Sequence, residues 1–162
     1  MVQRLVAWWE KGRILPDGLQ ADLQEVDKGM TLAEVRDYIA SLRLAEHVYS
    51  GKMPDKQEKS IGVYRSKHAQ EHKVAIGGAE LSSYGTMYVT LLVHWNRSPG
   101  ETEKAAQALF DAVCTAWEVP TKEETIKFIQ PLYELQDIGT DDAGVFEMVI
   151  EAAVIYQKGT GE

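Results

Sequence analysis

Between Gly85 and Trp117 the hydrophobic pattern changes period once, and no other stretch constrains the fold as much. From Thr86 to Trp95 the alternation has period two. Met87, Val89, Leu91, Val93 and Trp95 share one face, and Thr86, Tyr88, Thr90, Leu92 and His94 share the other. β-branched and aromatic residues dominate, which specifies a strand. Ser98-Pro99-Gly100-Glu101 then carries three helix-start signals. Ser98 offers a side-chain acceptor, Pro99 has its φ preset at the first helical position, and Glu101 is spaced to close a capping box. Such a cap is worth about 1 kcal/mol. Ala105, Ala106, Leu109, Val113 and Ala116 follow at helical spacing, with Glu103, Lys104, Gln107 and Asp111 left for the wet side. A strand feeding a helix through so short a turn packs against it.

The rest of the chain is arranged around this unit. Residues 1–30 read as an extension. Val2, Leu5, Val6 and Trp9 form one apolar face of a short helix, which Leu15-Pro16-Asp17-Gly18 breaks. That face either packs on its own domain or leaves Trp8 and Trp9 to anchor a partner protein. Thr31-Leu32-Ala33-Glu34 is a second capping box, opening a helix to about Leu44 whose buried stripe is Leu32, Val35, Ile39 and Leu42. Glu46–Ser50 and Ser60–Arg65 read as strands. Arg65–Ser83 is polar and glycine-rich, with Val74, Ala75 and Ile76 as its apolar run, and reads as an exposed loop or protruding hairpin between two core strands.

After the central unit, Val119-Pro120 stops the helix. Ile126–Ile138 reads as one irregular strand, with Pro131 marking an edge or a bulge. Gly139–Gly144 is a turn. Val145–Gln157 closes the chain: Phe146, Met148, Ile150, Ala152, Val154 and Tyr156 face one way, Glu147, Glu151 and Gln157 the other, so one side is core. The expected fold is α+β, a mostly antiparallel sheet packed by two helices on one face, with residues 31–158 as the domain and 159–162 as a frayed tail.

At 162 residues this is one domain, able to bury about 70% of the surface its unfolded chain exposes. No apolar run approaches the ~20 residues of a membrane span, and the short apolar patch at the N-terminus is not read as a signal peptide. The single cysteine, Cys114, excludes an intrachain disulfide and is expected on the packed side of its helix as an inert thiol, in keeping with a reducing cytoplasm. A net charge of −8 argues against a surface that grips nucleic acid, which needs clustered Lys and Arg. It permits a wall past which nucleic acid slides.

Catalytic constellations are sparse. His68-Ala-Gln-Glu71-His72 matches the H-x-x-E-H pattern of some zinc peptidases. That chemistry needs a firm helix to bring both imidazoles to one metal, a third ligand and a supporting shell, and the motif lies among Lys67, Gln70 and Lys73 with no apolar stripe to seat a helix. Gly77-Gly78 is not followed by the Lys-Ser/Thr of a phosphate loop. No serine stands in a nucleophile elbow, and Cys114 has no local signature of a cysteine protease. His94 is expected as a half-buried packing histidine on which no partner residues converge. No cofactor is implied, and the chain is read as a non-enzyme.

Four phrases carry a resemblance: VYSGKMPDKQEKSIGVY (48–64), AIGGAELSSYG (75–85), LLVHWNRSPGETEKAAQALFDAV (91–113) and DIGTDDAGVFEMVIEAAVIY (137–156). In their order and spacing the chain, from about Thr31 to Tyr156, resembles a family of tailed-bacteriophage minor capsid proteins whose members are similar to tail terminators. Residues 1–30 fall outside the pattern. The resemblance implies a virion structural protein of the neck, assembled in the host cytoplasm. It would form a ring, typically of six subunits, that caps the head-proximal end of the tail tube, stops its polymerisation and joins it to the head connector. The partners implied are further copies of the chain, the tail tube protein and a head-completion protein, with DNA passing the lumen without specific binding. The Arg65–Ser83 segment, with Arg65, Lys67, His68, His72 and Lys73, is the expected subunit contact, and Trp8 and Trp9 a candidate partner anchor. Another neck component, a small zinc hydrolase using His68, Glu71 and His72, and an adaptor acting through Trp8 and Trp9 are the alternative readings.

Overall fold

The computed structural model describes residues 29–55, 57–68, 76–78 and 82–159. Among these residues two helices, α1 (Leu32–Ser41) and α2 (Pro99–Cys114), accompany seven strands: β1 (His47–Ser50), β2 (Ser60–Arg65), β3 (Tyr84–His94), β4 (Trp117–Pro120), β5 (Thr125–Pro131), β6 (Gln136–Thr140) and β7 (Phe146–Gln157). The strands form one sheet in the order β1-β2-β3-β7-β5-β4, with β6 also on β7. Only the β1–β2 pair is parallel. This is the α+β architecture that the alternating patterns predict.

The two longest strands set the frame. β3 and β7 pair along their length, from Tyr84↔Gln157 to His94↔Glu147. On the face toward the helices, Met87, Val89, Leu91 and Val93 of β3 meet Ile150, Ala152, Val154 and Tyr156 of β7, all buried. α2 lays Ala106, Leu109 and Val113 on this face against β3, β5 and β7, while α1 lays Val35 and Ile39 against β1 and β2. Each large aliphatic side chain so buried stabilises the fold by roughly 1.5–3 kcal/mol.

Both helix starts lie where their caps place them, with different wiring. Thr31 and Glu34 make a full capping box. At α2 the Ser98 hydroxyl accepts from the Glu101 amide, but Glu101 does not reach back to Ser98. The Ser98 N–H donates instead to Asn96 Oδ1 at 2.9 Å, and Asn96 Nδ2 donates to Glu101. The asparagine side chain takes over that part of the cap.

Four sequence expectations need correction. First, the segment after α2 is not merely a stop: Trp117–Pro120 is an edge strand paired with β5, its alternation obscured because Glu118 sits in the left-handed region at φ 50°. Second, Ile126–Ile138 is two strands. β5 and β6 lie end to end along one edge of β7, with the break just beyond Pro131. Third, that arrangement makes β7 a central strand, so Val149–Val154 is buried without interruption and Glu151 is inside. Fourth, Cys114 is exposed. Val113 points into the core, and a helical step of about 100° turns its successor away.

Gly85 has a steric role that periodicity does not reveal. A Cβ there would stand 2.3 Å from Cζ of Tyr156, its cross-strand partner. The glycine leaves room for the tyrosine ring to fold over the strand and stay buried.

Candidate functional site

The sheet is open at both ends, with β1 and β4 as its end strands, and β6, paired with β7, is a further edge. Beside the β4 edge, Trp117 is 69% exposed and lies opposite Phe128, also exposed, next to a shallow hollow floored by Thr115, Ala116 and Ile129. Phe128 pairs with Ile155, whose alternation puts it on the sheet face away from the helices. An exposed aromatic pair next to unpaired main-chain groups is a surface suited to another chain.

The β2–β3 connection is the second outward feature. Arg65 ends β2 opposite Val89 and is exposed, as are Lys67 and His68. Farther along the connection Ile76 is fully exposed. Glu71, His72 and Lys73 lie outside the described residues, as do Trp8 and Trp9, so the zinc motif and the tryptophan anchor have no geometry here.

At the root of this connection stands Glu151. One oxygen accepts from Thr90 Oγ1 at 2.8 Å and the other from Ser66 Oγ at 3.0 Å. His68 Nδ1 is 3.8 Å from the first oxygen, and its ring leans on Tyr133 with centroids 6.3 Å apart. The carboxylate lies between hydroxyl and imidazole, so His68 is not placed to take the Ser66 proton, and the order of a nucleophile–base–acid triad is not met.

A third cluster surrounds His94, which is buried at 4% exposure. Contrary to the expectation from sequence, partners do converge on it. Nδ1 lies 2.7 Å from the Gln57 carbonyl, Nε2 lies 2.9 Å from Asp141 Oδ2, and Glu147 Oε1 is 3.9 Å from Nε2. A hollow of ≈ 730 Å³ opens beside them, between Pro54, Asp55, Tyr64 and Asp142. The hydrogen bond from His94, with another from the Val145 amide, holds the Asp141 carboxyl below the usual range. Burial pushes the Glu147 carboxyl up, against the attraction of His94. Burial likewise raises the Tyr64 phenol.

Among the described residues no three His, Cys, Asp or Glu side chains are grouped to hold a metal ion, and no helix is long and apolar enough to cross a membrane. The described polar groups are thus arranged as ties between strands and loops, while the two most exposed large apolar side chains, Ile76 and Trp117, lie on a connection and at an edge. Glu151, Asp141, Trp117 and Phe128 are the residues that sequence reasoning missed. Only Trp117 left a signal, as a large aromatic immediately after a helix end.

A family model described as bacteriophage tail terminator protein matches residues 21–158, which takes in every described element. No curated protein matches the chain.

Proposed function

Because this chain belongs to the bacteriophage tail terminator family, we propose that it forms a ring, typically of six copies, at the neck of the virion. There it caps the head-proximal end of the tail tube, stops polymerisation of the tube protein and joins the tail to the head connector or a head-completion protein. The observation that carries this reading is the family match over the whole described fold.

Surface features support it. A closed ring uses two different patches on each subunit. This chain offers several candidates: the β1 edge, the β4 edge with Trp117 and Phe128, and the β2–β3 connection with Arg65, Lys67, His68 and Ile76. Strand addition at an edge and packing of a protruding loop are both established ways to join copies. His72, Lys73, Trp8 and Trp9 remain candidate contacts from sequence alone. The net charge of −8 suits a lumen wall that DNA passes without adhering, since like charges repel. The lumen is therefore expected to be net acidic, and a ring lined by Lys and Arg would refute that part. Nothing in this role calls for catalysis or a cofactor.

Deletion of the gene is the decisive test, read by electron microscopy of the particles produced. Overlong tubes without heads support termination. Tails of normal length would overturn it and move the protein to another place in the neck. Six-fold rings seen by negative stain and native mass spectrometry, free or on tail ends, would support the assembly.

A further inference from the structure

We propose that Glu151 is the positioning residue of the β2–β3 connection: a buried carboxylate on the central strand that fixes where this connection leaves the sheet. Its strand position assigns it to the face away from the helices, yet it is only 5% exposed. A carboxylate kept from water requires donors. Two hydroxyls supply them, and they differ in kind.

Thr90 is the cross-strand partner of Glu151 on β3, so the 2.8 Å bond between them lies within the sheet. Ser66 is different. It follows the last residue of β2, and β3 lies between β2 and β7, so its 3.0 Å bond to Glu151 spans a strand. The Ser66 N–H continues the ladder by donating to the Tyr88 carbonyl at 3.0 Å. The Ser66 oxygen in turn accepts the His68 amide at 3.2 Å. A hydroxyl has one proton and two lone pairs. With the proton committed to Glu151, the lone pairs are aimed for the His68 N–H. The relay from Glu151 through Ser66 to His68 shapes the first turn of the connection. Tyr133, from the segment between β5 and β6, closes on the His68 ring from the other side. Residues from three parts of the chain therefore meet at one carboxylate, with Tyr133 packed on the His68 ring beside it.

The anchoring stands on this geometry alone; its consequence for assembly rests on the reading above, in which the connection meets a neighbouring subunit. The test is amide hydrogen exchange on the full chain, comparing wild type with Ser66→Ala, Glu151→Gln and Thr90→Val. Ser66→Ala removes the relay while leaving the carboxylate its sheet partner. The His68 amide is expected to exchange about tenfold faster, the loss of one charge-assisted hydrogen bond, with β1 and α2 unchanged. Glu151→Gln should give the same local pattern. Thr90→Val loses a sheet contact and should leave the His68 amide protected. Unchanged exchange at His68 in Ser66→Ala or Glu151→Gln, or an equal rise throughout the sheet, overturns the proposal. Ser66→Ala keeps the test decisive even where a Glu151 variant does not fold. Self-association measured on the same proteins separates the two claims. Faster local exchange with weaker association supports both. Faster exchange with unaltered association supports the anchor and refutes a role of this connection in the ring.

Discussion

The ring of His94 on β3 and the carboxylate of Asp141 in the turn between β6 and β7 are joined at 2.9 Å across 47 residues of chain. The other ring nitrogen meets the Gln57 carbonyl, so one buried side chain ties two loops to the end of a core strand. Both partners are acceptors, and the ring can donate to both only with a proton on each nitrogen. Asp141 also accepts, through Oδ1, from the amides of Ala143 and Val145, which sets the turn.

His94→Ala should therefore destabilise the protein by roughly 2–4 kcal/mol, through a cavity and two lost ties, measured by urea unfolding at neutral pH. The pH dependence has a definite sign. Asp141 is held below its unfolded value, so its contribution is present above about pH 4 and is lost as pH falls through its folded pKa. In Asp141→Asn the loss of stability below about pH 4 should be shallower than in wild type. Glu147, raised by burial, acts in the opposite sense and favours the fold as it becomes protonated. An Asp141→Asn protein with the wild-type acid profile would refute this assignment.

Glu34 does more than cap α1. Its carboxylate accepts from the Thr31 amide at 2.8 Å, the Thr31 hydroxyl at 2.9 Å, the Thr121 hydroxyl at 2.8 Å and the Glu123 amide at 3.2 Å. Burial would raise its pKa, but these donors together outweigh burial and hold it below the usual range. Thr31→Ala should cost about 1 kcal/mol, as for an ordinary cap. Glu34→Ala should cost roughly 1.5–3 kcal/mol, because it also frees the 121–123 turn. Equal costs in chemical denaturation would mean that the long-range tie contributes nothing.

Gly85→Ala should destabilise by roughly 1–3 kcal/mol, because the added methyl meets the Tyr156 ring. Combining it with Tyr156→Leu, which clears that space, should recover part of the loss. Additive costs in the double variant would show that the ring is not the obstacle.

Cys114 is exposed on the last turn of α2. A water-soluble disulfide reagent should label the native protein to one equivalent without denaturant, and the far-ultraviolet circular dichroism should not change. A thiol that reacts only after unfolding would restore it to the packed side of the helix.

Much of the fold could be read locally. The turn Ser98-Pro99 divides strand from helix because capping and a preset φ act within a few residues. The inward row Met87, Val89, Leu91 and Val93 is fixed by the pleat alone. Trp117–Pro120 was hidden because one residue at positive φ breaks the alternation, and β6 because it shares its partner strand with β5.

The buried polar groups were not legible, and the reason is physical. Sequence determined the central strand and the helix that follows it, the helix starts and the face that Leu91 and Ile150 turn to the core, because each depends on chain geometry over a few residues. Only the tertiary structure decided that β7 lies between β3 and the β5–β6 edge. That placement drew Glu151 out of solvent toward Ser66 and Thr90. It also set Asp141, at the end of the strand beside β7, against His94. Exposure is a property of what lies alongside, and β-pairing brings in neighbours from distant parts of the chain.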